Sequence, residues 1–549
     1  MRHLSTFAIA LCLLLGVAAS AHAQTGKLTG TVTERGTDEP LIGVNVSLEG
    51  TTVGDQTGVD GKFTIIGVRP GTYTVIASYV GFNTVRTENV RIQIDLTTRV
   101  DIVMGEQVLE GEEVVVTAER PLVQRDLTAT TSVVGGAEIR AAPVDNLQDV
   151  VNLQAGVVNG HFRGGRLGEV GYWVDGLPVT DVFNGGLGVS VENTAVEELQ
   201  VVTGAFNAEY GQALSGIVNV VTRDGNNDFS GSVSAFTGDY LSSDSDIFLG
   251  IDDVSPTAVR NVEGNFSGPV VKDKLWFFAS GRYFGNDGFL KGQQVFGLND
   301  VGYNAQGQLS ILNPGGSGDS SLVDFAPYER YSGQFKLTYR MFRNTRLAAN
   351  VFYSQDEGRS ADYGLLLLPD ARSYNRSTSR NAYLKLTQTI SNTTFLDVGL
   401  TNTFTTFRDR LYDDPLDERY LDNDFAGFSD FLRTAGFRAG GTNNGRFERS
   451  TNTWLVKADL TSQITEINLA KIGVEVRQHE LDFLDQFTVV RERDNLRTVA
   501  TTGSYTYRPI EASAYVQDKI EFGSLVVNVG LRFDYFDSKG RVFQDPTDP

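Results

Sequence analysis

The sequence predicts an all-β chain in three parts, on the strength of its composition, its period-two alternation and the lengths of its connections. Its 549 residues include 59 glycines, 33 phenylalanines and 20 tyrosines against 14 prolines and three methionines. That usage suits many strands and turns, with room for several domains. Apolar and polar residues alternate through most of the chain, as on half-buried strands. In the second half, very short connections alternate with long polar ones.

The chain opens MRHLSTFAIALCLLLGVAASAHAQ, with a basic start, an apolar run from Phe7 to Ala19, and small residues at Ala21 and Ala23. Residues 1–23 therefore read as a secretory signal peptide, cut before Gln24. The apolar core is too short to span a bilayer comfortably, and no later stretch reaches about eighteen consecutive apolar residues, so no membrane helix is expected. Cys12, the only cysteine, lies in that leader, and of the four histidines only His161 and His479 follow it. No His/Cys metal cluster and no nucleophile–histidine pair is expected, hence no enzyme, no cofactor and no metal. The formal charge is -21, and loss of Arg2 with the leader makes it one unit more negative. Such a surface argues against a nucleic-acid partner.

Residues 24–105 contain the runs LTGTVTE, GVNVSLEG, GKFTIIGV, TYTVIASYV and RIQIDL, separated by Gly/Pro/Asp turns. Val44, Val46 and Leu48 share one strand face, as do Tyr73, Val75, Ala77 and Tyr79. About seven short strands in so few residues make a small β-sandwich. The order from GTVTERG to IASYVGF closely resembles the carboxypeptidase-regulatory-like domain found ahead of some outer-membrane receptors. The resemblance is to the accessory sandwich, not to a peptidase.

Residues 126–228 are rich in glycine and short β-like runs. FRGGRLGEVGYWVDGLPVTD, VEELQVVTGAFNAEYGQAL and SGIVNVVTRDG occur there in that order. Together they resemble the plug domain of TonB-dependent outer-membrane receptors. Arg163, Gly164 and Arg166 form its arginine–glycine strand end, and Asp175 and Gly176 its turn. Tyr210, Gly211, Gly216 and Asn219 belong to its Tyr-Gly…Gly-Ile-Val-Asn segment. Asp175-Gly176 is also a hairpin-turn pair in its own right, between apolar runs. Arg163 and Arg166 are expected to seat the plug against acidic or carbonyl groups of the barrel lumen, because arginine's forked donors suit that role.

From residue 229 to 549 the alternation has the period and length of membrane strands. Phe335, Leu337 and Tyr339 alternate with Gln334, Lys336 and Thr338. Trp454, Val456, Ala458 and Leu460 alternate with Lys457 and Asp459, and Leu525 to Tyr535 follows the same rule. Apolar on one face and charged on the other, such strands fit a barrel with lipid outside and water inside. Short turns are expected at Lys272-Asp273, Arg343-Asn344, Asn392, Thr465-Glu466 and Gly523, and long outer loops at roughly 285–327, 357–377, 408–447 and 485–506. In one loop Asp413, Asp414, Asp417, Asp422 and Asp424 read either as a solvated acidic face or as ligands for a cation. They lack the ordered spacing of a calcium loop. The count is about eleven strands of a barrel of about twenty-two, so a truncated chain or gene fragment is expected.

Between sandwich and plug, in a linker at 106–125, lies EEVVVTAER. The resemblance places a TonB box there: Glu112, Glu113, Val114, Val115, Val116, Thr117 and Ala118. An extended segment in the periplasm can add a strand to a partner's sheet edge, so the run is expected to pair with TonB and with no sheet of its own chain. The other reading is that Val114 to Val116 close the sandwich.

The resemblance implies an outer-membrane transporter. It would be driven through TonB by the inner-membrane proton-motive complex, and its ligand would be a peptide, an oligosaccharide or a metal chelate. A surface lipoprotein partner accompanies related carbohydrate and peptide systems. A ligand-sensing signal transducer and a barrel-anchored adhesin are the alternatives.

Overall fold

The structure, a computed structural model, describes residues 25–51, 53–106, 114–117, 128–359, 361–422, 433–434, 436–491, 496–522 and 525–540. Residues 1–23 lie outside them, as do Glu112, Glu113, Ala118 and Asp424.

The sandwich consists of β1 (Gly26–Glu34), β2 (Asn45–Leu48), β3 (Gly54–Gln56), β4 (Lys62–Val68), β5 (Gly71–Ser78), β6 (Val85–Ile92), β7 (Thr97–Arg99), β8 (Ile102–Met104) and β9 (Val114–Thr117). One sheet has the order β4-β1-β7, with β8 also on β1, and the other has β3-β2-β5-β6-β9. Alternation decides which side chains enter the core. Val44, Val46, Leu48, Val75 and Ala77 are buried between the sheets, with Tyr73 and Tyr79 packed at the margin.

The valine run departs from expectation. β9 pairs in parallel with β6, Val85 opposite Val114 through Glu88 opposite Thr117, so it does join a sheet of its own chain. Consecutive β-branched residues favour a strand wherever an edge is open, and the end of β6 supplies one. β9 is the outermost strand of that sheet.

The plug holds β10 (Thr131–Gly135), β11 (Val157–Val158), β12 (His161–Phe162), β13 (Val170–Val174), β14 (Leu177–Pro178), β15 (Val196–Val202) and β16 (Gly216–Thr222). Its five-stranded sheet has the order β10-β15-β16-β13-β14. Two short helices, Gly136–Ala141 and Leu147–Asn152, pack on it. The second is capped by Asn146, whose side chain accepts from the Asp149 amide. The period-two reading did not anticipate these helices.

The wall is one antiparallel sheet of β17 (Ser230–Gly238), β18 (Val259–Val271), β19 (Leu275–Asn286), β24 (Tyr328–Phe342), β25 (Thr345–Gly358), β26 (Tyr374–Ser391), β27 (Thr394–Arg410), β30 (Gly445–Gln463), β31 (Asn468–Arg491), β32 (Leu496–Tyr507), β33 (Ile510–Phe522) and β34 (Leu525–Asp537). Both β32 and β33 pair antiparallel with β31, along its upper and lower parts. They are one strand interrupted at Arg508-Pro509, where proline has no donor for the ladder. Eleven strands are therefore joined in the sheet path from β17 to β34, in agreement with the sequence count.

Burial in the wall is inverted relative to a soluble sheet. Gln334, Lys336 and Thr338 are buried while Phe335 is exposed, and Lys457 and Asp459 are buried while Trp454 is exposed. The outward residues of β34 are open, with Leu531 77% and Phe533 69% exposed. Apolar groups facing out and polar groups facing in is the arrangement a membrane barrel requires.

The long connections are not plain loops. Residues 287–327 carry two hairpins, β20 (Lys291–Gln293) with β23 (Leu322–Asp324) and β21 (Val301–Tyr303) with β22 (Leu309–Ile311). Residues 411–444 carry β28 (Arg433–Thr434) with β29 (Phe437–Arg438). Phe296, Val301, Leu365, Leu368 and Ala439, from three different connections, share one small core. The segment expected as a loop at 485–506 is mostly strand, because β31 and β32 extend the wall outward as a hairpin.

Val351, mid-strand on the outer face and 53% exposed, tests the lipid assignment. Val351→Arg should destabilise the inserted receptor by about 2–4 kcal/mol, read as a lower denaturant midpoint and loss of heat-modifiable gel mobility. An unchanged midpoint would contradict the outward assignment.

Candidate functional site

The plug is seated by buried charge. At the β13–β14 turn, Asp175 and Gly176 have φ of +49° and +89°, the left-handed pair that a two-residue hairpin needs. The turn projects Asp175 against the wall. Its carboxylate accepts from the Thr222 amide at 3.0 Å, the Tyr383 hydroxyl at 2.5 Å and the Lys336 ammonium at 3.0 Å. Lys385 donates to the Asp175 carbonyl at 2.6 Å and Lys457 to the Gly176 carbonyl at 3.4 Å. Three lysines from three wall strands thus converge on one plug turn. Burial alone would raise the Asp175 carboxyl. Lys336 and Arg69 beside it, with hydrogen bonds from Thr222 and Tyr383, instead hold it well below the usual carboxylate range.

Further clamps lie around the plug. Glu192 accepts from Ser332 at 2.5 Å and pairs with Arg282 at 3.2 Å. Glu209 pairs with Lys471, and Arg532 donates to the Glu209 carbonyl at 3.0 Å. Asp224, just beyond β16, pairs with Lys336 at 3.0 Å and with Arg346. Among these polar contacts Phe278, Phe352, Tyr383 and Leu455 point inward and join the plug's own hydrophobic core.

Among the described residues, the partners of Arg163 and Arg166 lie within the plug and not on the wall. Arg163 donates to Thr130 at 2.7 Å within the plug, and its own φ is +48°. The Arg166 side chain is 91% exposed, and its ion pair, at 3.9 Å, is with Glu169. Gly164, between them, has φ +80° and open space around it. The other motif residues serve packing. A Cβ on Gly216 would lie 2.1 Å from the Phe162 ring, and one on Gly211 would overlap the Arg532 guanidinium. Asn219 is buried and donates to Gln200 at 3.2 Å. Tyr210 stands edge-on to Trp173 with centroids 5.1 Å apart.

On the outer side of the plug, a cavity of about 320 Å³ opens between the 181–192 segment and the wall. Hydroxyls of Ser354, Ser379, Thr405 and Thr451 line it, together with the ion pairs Arg330–Asp356 at 2.5 Å and Arg449–Asp181 at 4.0 Å. Arg449 lies 4.6 Å over the Phe183 ring, and Phe183 stacks on Phe483, which stacks on Tyr505. In the acidic loop two of the carboxylates are matched by arginines: Asp417 pairs with Arg419 at 2.8 Å and Asp413 with Arg410 at 2.7 Å. No cluster of metal-binding side chains occurs among the described residues.

On the inner side the sandwich meets the plug. Arg69, in the β4–β5 turn, pairs with Asp224 and lies 3.7 Å from Asp175. Glu198 on β15 accepts from the Ile94 amide at 3.0 Å and faces Arg91 at 3.8 Å. Burial pushes the Glu198 carboxyl up to about 7, against the opposing pull of Ile94 N–H and Arg91. Asp95, which accepts from Tyr210 at 3.2 Å, is also raised, first by burial and then by Glu209.

A polar-walled, plugged, half-inverted sheet of this kind defines the class of plugged outer-membrane β-barrels. The profile of the CarboxypepD_reg-like domain matches residues 28–116 and that of the TonB-dependent receptor plug domain matches residues 123–218. The chain belongs to the TonB-dependent receptors, with an N-terminal CarboxypepD_reg-like domain, a plug and a partial barrel. It is 27% identical over 302 residues to the TonB-dependent transporter Oar of Myxococcus xanthus, spanning 49% of this chain and 28% of that protein. It is 26% identical over 252 residues to the TonB-dependent receptor SusC of Bacteroides thetaiotaomicron, spanning 42% of this chain and 24% of that protein. Its fold is similar to the outer membrane transporter YddB from Escherichia coli, with TM-score 0.54 and 12% identity, covering 75% of this chain and 58% of that one. The ferric enterobactin receptor PfeA of Pseudomonas aeruginosa matches with TM-score 0.51 and 14% identity, over 74% and 58%.

Two outcomes follow from this geometry. Asp175→Ala removes a partner of the buried Lys336 ammonium, a change that typically costs about 3–5 kcal/mol. It should free the plug, giving protease-sensitive plug and vancomycin-sensitive cells, whereas Arg163→Ala with Arg166→Ala should leave both readouts unchanged. The second outcome concerns pH. Glu198 faces Arg91, Glu197 and Asp95, and its docked pKa lies above its free value. Its contribution to docking is therefore fully present below about pH 4.5 and is lost as pH rises through about 7. Hydrogen exchange across 91–96, normalised to intrinsic rates, should be slower at about pH 5.5 than at about pH 8, and Glu198→Gln should flatten the difference.

Proposed function

We propose that this chain belongs to a receptor that takes up a polar solute across the outer membrane on energy delivered by TonB. The observation that carries the reading is the seated plug. A solute entering the outer cavity meets a domain held by buried ion pairs, so passage requires the plug to be moved by work. No nucleotide drives such work at the outer membrane, which leaves a mechanical partner in the periplasm: TonB, coupled to the inner-membrane proton-motive complex.

The ligand is a peptide, an oligosaccharide or a metal chelate. A hydroxyl-rich lining with paired charges and stacked aromatic rings supports a solute with many hydrogen-bonding groups over a bare ion. The outward apolar strand faces contact outer-membrane lipids, and the folded outer connections offer a surface to a lipoprotein partner. Fluorescent peptide and oligosaccharide panels and labelled ferric chelates, offered to cells making the complete receptor, test this. Accumulation should stop when the proton-motive force is collapsed, and accumulation that persists would overturn the reading.

TonB engages Val114–Thr117, the described part of the box. Val115 and Val116 are 56% and 46% exposed on the outermost strand of the sandwich sheet, where a partner strand can add by main-chain hydrogen bonds. Val115→Pro removes a donor and fixes φ. Capture of a TonB periplasmic fragment should fall at least about tenfold, as for loss of about 1.4 kcal/mol or more, with barrel mobility on gels unchanged.

A further inference from the structure

β6 holds β9 at one end and the plug at the other. Its first four residues, Val85 to Glu88, pair with Val114 to Thr117. At its far end Arg91 faces Glu198 at 3.8 Å, and just beyond it the Ile94 amide donates to Glu198 at 3.0 Å. Asp95 receives the Tyr210 hydroxyl at 3.2 Å, so two separate plug segments are gripped within five residues. Packing there is close, since a Cβ on Gly135 of the plug would lie 2.6 Å from the Arg91 guanidinium. A second grip comes from the β4–β5 turn, where Arg69 pairs with Asp224 and approaches Asp175, the residue on which the seating lysines converge. The sandwich is also tied to the wall, by Lys27–Glu521 at 2.6 Å and by Thr97 to Glu521 at 2.7 Å.

We propose that the N-terminal sandwich is a latch between the box and the plug: a pull on Val114–Thr117 travels along β6 and reaches Glu198, Asp175 and Asp224 through Arg91 and Arg69. The inference rests on the TonB reading for its physiological puller, but the mechanical link stands apart from it. β6 carries the pull over roughly 13 Å, from Glu88 to Ile92 at about 3.3 Å per residue. The other path is the covalent linker. Residues 118–127 separate the segment from the plug, and ten residues span at most about 36 Å when fully extended. Without the latch the plug is loaded only when the linker is taut. With it, load arrives at once, and the same movement withdraws Arg69 from the charge cluster that seats the plug.

Val115→Cys gives a handle once any cysteine of the complete receptor outside this sequence is replaced by serine, since the one cysteine here, Cys12, lies in the expected leader. The complete receptor in a supported bilayer is pulled by that thiol on a force-microscope tip. The latch predicts a first force peak before the linker is drawn out. Arg69→Ala with Arg91→Ala should remove that early peak and leave the plug to be loaded through the linker alone. Arg69→Lys with Arg91→Lys, which keeps both charges, should retain the peak and shows that loss in the alanine pair is not misfolding. Superimposable traces for the parent and the double variant would overturn the latch. Failure of the TonB reading shows elsewhere, as undiminished capture of a TonB fragment by Val115→Pro, and leaves the force traces as they are.

Discussion

A carboxylate and an ammonium that share a site closed to water are held there by more than their attraction. Separating them exposes each to a medium that cannot solvate it, and that penalty exceeds the net worth of the pair. Asp175 and Lys336 are in this position, 3% and 1% exposed at the side chain. The plug's orientation follows from them. The hairpin turn that carries Asp175 has to point at β24, and Tyr383 and Lys385 then fix it against β26. The plug sheet, the outer cavity above it and the sandwich beneath it take their places from that contact. The polar part of the hold can be exchanged for other polar contacts or for water during a movement, whereas the packing of Phe278, Phe352 and Leu455 into the plug core resists it.

Much of this was legible in the sequence because membrane strands obey a strict rule. Lipid on one side and a polar lumen on the other leave few choices for side chains such as those from Gln334 to Tyr339. The Asp-Gly turn was legible for a similar reason, since two consecutive left-handed residues narrow the options to very few. For the arginines, the described contacts differ from the expectation. Arg163 and Arg166 carry the right chemistry for a clamp, but direction in a glycine-rich bend is set by backbone φ, which composition does not reveal. The lysines that do the seating sit singly in alternating strands, where each looks like any lumen residue. One signal was available: an apolar pair interrupting the alternation, as at Phe277-Phe278, Val351-Phe352 and Trp454-Leu455, places one member inward where it meets the plug core.

The valine run shows how propensity and partnership differ. Val114 to Val116 specify an extended segment and say nothing about which edge receives it. Within one chain an adjacent edge is present at high effective concentration, so the sandwich takes the segment first. On the proposed reading, a periplasmic partner would meet a sheet edge already formed and would not have to order a free peptide. That lowers the entropic cost of recognition and places the point of attachment on a folded domain.

The outer connections share a core built from Phe296, Val301, Leu365, Leu368 and Ala439. Loops exposed to phage, antibodies and competing bacteria are ordinarily free to drift one at a time. Here a change of length or polarity in one connection uncovers apolar surface on two others, so the three must diversify together or not at all. An antibody raised against any one of them as a linear peptide would meet a conformation that exists only when all three are folded.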